Sequence, residues 1–285
     1  MSTTGYIQSV AGELFYERRG AASGTPLVAV HGGPGFTSYY LEPLFDVQSD
    51  RPVVLYDQAG CGRARRSGGR KSFSVAGFVD ELEQLREALG LESVHLLGHS
   101  FGGVIVGEYA LRFPHRVATA VFACVSIDIP RWVADSERLI SKLPLMQRMV
   151  LAEGKRSGNL DSPEYQRALS QYYDKHIYGI APLPSCLSRA IEESDTVTYS
   201  TVWGRNELVV SGVVQEYSLT PRLSEISCPT LFVCGRHDEA TPEAHEYFAS
   251  LVPEARCVVF EQSAHHPQLS ETEQFVRVVR DFVSG

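Results

Sequence analysis

The 285-residue sequence predicts an α/β fold: a mostly parallel, doubly wound sheet with a helical cap inserted into it. Three observations carry this. Short unbroken apolar runs alternate with longer amphipathic segments, which is how strands covered on both faces alternate with crossover helices. One of those runs ends in Gly98-His99-Ser100-Phe101-Gly102 and continues at once into apolar residues at helical spacing. From Pro130 to Val214 the rhythm lapses into charged, aromatic-rich helical stretches broken by Pro163, Pro182 and Pro184. The expected organisation is therefore a core of residues 1–129 and 215–285, with residues 130–214 forming a cap.

Taken in order, Tyr6 to Arg18 reads as a β-hairpin with its turn at Ala11-Gly12-Glu13. Leu27 to Val30 is a buried strand that closes on His31-Gly32-Gly33-Pro34-Gly35, a tight loop whose backbone amides can approach a ligand closely. Pro52 to Tyr56 is a second buried strand. Asp57, at the head of the following glycine-rich turn, is expected to be a turn former, and the basic run Arg63, Arg65, Arg66, Arg70 and Lys71 a solvated loop. Ser74 to Leu89 has Val75, Phe78, Val79, Leu82, Leu85 and Leu89 on one helical stripe, with Gly90 just past its end. The run around Ser100 and its helix stop at Pro114, and Val117 to Val125 is another buried strand. Beyond the cap, Pro229 to Cys234 and Ala255 to Phe260 read as strands, and Pro242 to Leu251 and Glu271 to Val283 as helices.

The bulk composition narrows the function classes. A net charge of −8 argues against nucleic acid or an anionic membrane as partner and leans towards cationic or neutral small molecules. There is no apolar run of membrane-spanning length, and the first residues lack the pattern of a secretory signal, so a cytoplasmic location is expected. The six cysteines form no Cys-x-x-Cys pair, as suits reduced thiols. Phosphate-loop and dinucleotide fingerprints are both missing. The nine histidines include no His-Glu-x-x-His helix, and neither a metal nor a cofactor is expected.

Gly98-His99-Ser100-Phe101-Gly102 between strand and helix is the pattern of a nucleophile elbow. There the serine sits on a strained turn, and the amide of the next residue, here Phe101, opens a helix that favours an anion. The second oxyanion donor is assigned to the Gly33 amide. A serine hydroxyl needs a base and a group that fixes the base's tautomer. Asp238 and His265, on the loops after the last two strands, have the chain order this arrangement requires; His266 and Asp128 are the rival base and acid.

With these residues in view, the chain resembles the proline iminopeptidase family of the α/β-hydrolase fold. The blocks that carry the resemblance are His31 to Gly35, Tyr56-Asp57-Gln58 with Gly60-Cys61-Gly62, Gly98 to Gly103, Ser162-Pro163-Glu164-Tyr165, Gly204-Arg205-Asn206-Glu207 and Asp238 to Pro242. Ala64 departs from it, standing where the family usually has serine. The resemblance implies a serine aminopeptidase acting through an acyl-enzyme on small peptides or amino acid amides with a free amino group. It also implies that Glu207 and Glu239 hold that group, although by composition alone each would be a solvated surface residue. Cap aromatics, Trp203 among them, are expected to shape a slot for a small side chain such as proline. An amidase, or an esterase or lactonase with the same triad, is the nearest alternative, and a ligand receptor on the same scaffold a more distant one.

Overall fold

The unbroken apolar runs have a simple cause: side chains alternate across a sheet that is covered on both sides. In the computed structural model, Val54 and Tyr56 of β4 (Pro52–Asp57) enter one hydrophobic cluster and Val53 and Leu55 the other. In β10 (Thr230–Gly235), Phe232 likewise faces opposite to Leu231 and Val233. The first cluster packs the sheet against α1 (Val75–Ala88), α2 (Gly102–Arg112) and α8 (Pro242–Leu251). The second packs it against a 3₁₀ helix, Tyr39–Val47, and α10 (Thr272–Ser284). The structure describes residues 2–20, 23–47, 51–67 and 73–285; Arg70 and Lys71 of the basic run lie outside them.

The remaining core strands are β1 (Ser2–Gln8), β2 (Gly12–Gly20), β3 (Leu27–Val30), β5 (Arg65–Arg66), β6 (Val94–His99), β7 (Val117–Ala123) and β11 (Ala255–Phe260). The main sheet runs β1-β2-β4-β3-β6-β7-β10-β11, parallel from β4 to β11, with β1 and β2 antiparallel at one edge. From β3 the chain first winds one way to β4 and then crosses back to β6 on the other side. The carboxyl ends of β3 and β6 therefore meet at a topological switch point, where open α/β sheets bind ligands.

Three local expectations change. The hairpin turn falls at residues 9–11, because the Ser9 hydroxyl accepts the amides of Ala11 and Gly12 and closes the turn there, so Gly12 already belongs to β2. The 3₁₀ helix at Tyr39–Val47 was not foreseen. The basic run is not simply solvated: β5 pairs with β2, and the Arg63 guanidinium bonds Asp57 at 2.7 Å while lying over the rings of Phe15 and Tyr39.

Asp57 also accepts the Ser38 amide and hydroxyl, each at 2.8 Å, so it fastens the turn after β4 as expected of a turn former. Burial alone would raise its carboxyl, but Arg63 outweighs that and holds it below the ordinary value. Breaking a buried pair leaves an uncompensated charge. Arg63→Ala is thus expected to lower stability by about 3–5 kcal/mol, read as a fall in the urea midpoint at unchanged slope.

Between β7 and β10 the chain forms α3 (Ile129–Ile140), α4 (Leu145–Ser157), α5 (Pro163–Tyr173), α6 (Ser185–Glu192), α7 (Thr196–Val202) and the small hairpin β8 (Gly204–Asn206) and β9 (Val209–Val210). Asp128 caps α3, accepting from Arg131 N–H, Ser218 and Thr220. Leu151, Tyr165, Leu169, Tyr172 and Leu208 give the insertion a hydrophobic cluster of its own. No helix among the described residues is long and apolar enough to cross a membrane.

Candidate active site

Ser100 stands at the end of β6 with φ +55°, a conformation few non-glycine residues adopt and one that marks stored strain at functional turns. The turn closes only because its flanks lack side chains. A Cβ on Gly98 would lie 2.4 Å from the Gly102 carbonyl oxygen, and one on Gly102 would lie 2.2 Å from that of Val30. The Phe101 amide precedes α2, among the helix-start donors that have no intrahelical partner.

The neighbouring loop after β3 is oriented by its first residue. His31 Nδ1 donates to the Gly32 carbonyl at 2.9 Å, while Nε2 accepts the Gln58 amide at 3.1 Å. Burial lowers this imidazole below its ordinary value, and the Gln58 amide, which can only donate, leaves the hydrogen on Nδ1. In a trans peptide the carbonyl and the N–H point opposite ways. Anchoring the Gly32 oxygen on His31 therefore turns the Gly33 amide away from that ring, and Gly33 lines the same cavity as Ser100.

Two loops bring in the remaining groups. Asp238 follows β10, and His265 lies between β11 and the short helix α9 (Pro267–Ser270). His265 Nδ1 bonds Asp238 Oδ1 at 2.7 Å, and the same oxygen accepts the Ala240 amide at 2.8 Å. Burial would raise the Asp238 carboxyl, but the charge and hydrogen bond of His265 outweigh it, and the group stays ionised below its ordinary value. With Nδ1 committed to Asp238, Nε2 of His265 is left as the basic nitrogen. The segment inserted between β7 and β10 holds both loops: the His265 amide donates to the Ile177 carbonyl and the Glu239 amide to that of His176, each at 3.1 Å. His266, the rival base, stacks on His99 at 5.3 Å, and its Nδ1 meets Gln268. Asp128, the rival acid, is committed to capping α3.

A cavity of about 60 Å³ joins these parts. Ser100, His265, Gly33, Glu207 and Glu239 line it, together with Phe36, Tyr40, Tyr173, Ile177 and Tyr178. Glu207 follows β8 and accepts the Tyr199 hydroxyl at 2.8 Å; burial pushes its carboxyl up to about 7. Glu239 is raised well above its ordinary value, first by burial and then by the charge of Glu207, and its Oε2 has no protein partner. Neither carboxylate forms an ion pair among the described residues.

Trp203 is the correction. It does not line the cavity; it caps the end of α7, is 1% exposed and packs edge-on against Trp132 at 5.4 Å. A large apolar ring next to core residues gains more by complete burial than by lining a polar pocket. Trp132 lies between it and the site, 6.1 Å from the His265 ring. Phe36, Tyr40 and Ile177, which no motif marks, line the wall instead.

One trio among the described residues has metal-ligand spacing: the ligand atoms of Cys124, Asp238 and His265 lie within 4.8 Å of one another. Burial pushes the Cys124 thiol well above its ordinary value, so it keeps its proton, which suits it poorly to ligate a metal.

Residues 25–272 match the model of a family described as having the alpha/beta hydrolase fold. The chain is 36% identical to a proline iminopeptidase of Heyndrickxia coagulans, with all of both chains covered. Among solved structures it is similar to VinJ, with a TM-score of 0.93 and 32% identity over 99% of this chain and 98% of that one. It is also similar to a proline iminopeptidase of Mycobacterium smegmatis, with a TM-score of 0.92 and 27% identity over the same shares.

Proposed function

The chain belongs to the proline iminopeptidase family of α/β-hydrolases, and from that membership and the cavity we propose that it is a serine aminopeptidase that releases a small N-terminal residue, such as proline, from peptides or amides. The observation that carries the reading is a pair of carboxylates, the buried Glu239 and the half-buried Glu207, on the wall of the cavity that also holds Ser100 and His265. An ammonium leaving water needs opposite charge and hydrogen-bond acceptors, and this pair in its ionised form supplies both.

In this reading His265 Nε2 takes the proton of Ser100 as Oγ attacks the carbonyl carbon. The Gly33 and Phe101 amides receive the oxyanion, and Asp238 stabilises the imidazolium. His265 then gives its proton to the leaving nitrogen, the C–N bond breaks, and the residue stays on Ser100 as an ester. Water, deprotonated by the same imidazole, hydrolyses that ester and frees the serine. The narrow cavity selects a small side chain. A cytoplasmic location is supported by six free cysteines, as suits a reducing compartment.

The test compares prolyl anilide, alanyl anilide, N-acetylprolyl anilide and a simple acetyl ester. Hydrolysis of the two free amines with little turnover of the other two is expected. Rates on the N-acetylated compound equal to those on the free amines would remove the amine recognition, and turnover of the ester alone would assign an esterase.

A further inference from the structure

Ser100, His265 and the Gly32-Gly33 loop come from three separate parts of the chain, yet one buried histidine is linked to all three, to the last through Tyr40. His99 immediately precedes Ser100. Its Nε2 lies 2.8 Å from the His265 carbonyl oxygen, and its Nδ1 lies 3.0 Å from the Tyr40 hydroxyl, which in turn receives the Gly32 amide at 2.8 Å.

The proton positions in this chain follow from its ends. A carbonyl oxygen only accepts, so His99 Nε2 carries the hydrogen and Nδ1 is a lone pair. Tyr40 must then donate to Nδ1, and its oxygen accepts from Gly32. Every bond in the series from Gly32 N–H through Tyr40 and His99 to the His265 carbonyl is thus directed one way, and no group in it can reverse without leaving a buried atom unpaired. Burial holds the imidazole at about 3, so it stays neutral at working pH and the direction persists. The rings are packed as well as bonded: Tyr40 meets His99 edge-on at 5.1 Å, and His266 stacks on its face at 5.3 Å.

We propose that His99 and Tyr40 form a positioning relay that sets the spacing between the oxyanion loop and the base loop on either side of Ser100. The relay rests on the serine hydrolase reading and adds to it a means by which three loops far apart in the sequence hold one geometry. His99 exchanges no proton with substrate. It acts through the backbone of Gly32 and His265, and its loss misplaces the Gly33 amide and the imidazole relative to the nucleophile. A misplacement near 1 Å is enough to slow chemistry by about 100-fold.

The test uses the full-length enzyme with prolyl anilide and a fluorophosphonate, in the wild type, Y40F, H99L, H99Q and the double variant Y40F/H99L. Rates are normalised to the number of serines finally labelled, so that unfolded protein is not counted. Y40F and H99L are expected to lower kcat and the labelling rate by about 10- to 100-fold with KM within about twofold, since the amine site is untouched. The double variant should be no slower than H99L, because both substitutions break one series. H99Q, whose amide offers both an N–H and a carbonyl, should recover most of the loss, which bulk alone would not achieve. If H99L fails to fold, Y40F, which removes a single oxygen, carries the test alone. Per-site rates in Y40F equal to wild type, or a loss confined to KM, would overturn the relay while leaving the hydrolase reading intact. A wild-type enzyme that takes no label at Ser100, with S100A as the blank, overturns the hydrolase reading and the relay together.

Discussion

Asp238→Asn is expected to lower kcat by about 10⁴-fold with little change in KM. The structure explains why so small a change would matter. Asp238 Oδ1 already serves the Ala240 amide and His265 Nδ1, so the carboxylate accepts from both and forces the imidazole to carry its hydrogen on Nδ1. An amide in its place can present N–H to the ring, which then holds its hydrogen on Nε2, the nitrogen that must take the Ser100 proton. The base is lost through its tautomer while the fold and the amine site remain. Ser100→Ala sets the floor, about 10⁶-fold down in kcat. Single-turnover hydrolysis of prolyl anilide measures both, and an Asp238→Asn enzyme within tenfold of wild type would remove Asp238 from the mechanism.

Glu239→Gln is expected to lower kcat/KM on free-amine substrates by about 10²- to 4 × 10³-fold and to leave the slow turnover of N-acetylated ones unchanged. Truncating one partner of a buried, hydrogen-bonded charge pair costs about 3–5 kcal/mol, and a factor of ten is about 1.4 kcal/mol. The pH dependence follows from the same pair. Burial raises the carboxyl of Glu207 to about 7, and burial with the charge of Glu207 holds that of Glu239 well above its ordinary value, so both hold protons more tightly than in an unfolded chain. An ammonium needs the ionised forms; KM for prolyl anilide should therefore rise as pH falls through about 7.

The sign for stability is opposite. An acid whose folded value lies above its unfolded one binds more protons when folded, so stability falls as pH rises between the two values. Glu239→Gln removes that cost and should raise the melting temperature at pH 8 relative to pH 5. A KM indifferent to pH between 5.5 and 8 would falsify the amine-binding role, and an unchanged melting temperature would show that water reaches the pair.

The sequence by itself determined the parallel sheet and the loops that bear Ser100, Asp238 and His265. Burial on both faces imposes an apolar run on each central strand, and in a parallel sheet the loop after a strand always emerges at the same edge, so chain order alone names the loops. The elbow was legible for a related reason: glycine at 98 answers a collision within five residues, with the Gly102 carbonyl.

Only the tertiary structure decided contacts between distant segments. Arg63 could not be told from a solvated arginine until Asp57, Phe15 and Tyr39 surrounded it. Trp203, expected at the pocket, was taken into the core by packing against Trp132, while Phe36 and Tyr40 came to the wall without any motif to announce them. The bonds of His99 span 59 residues to Tyr40 and 166 to His265, and no local pattern encodes them. Periodicity records which face of an element is buried, because that is set by neighbours one or two turns away; which partner meets that face depends on how all the elements pack at once.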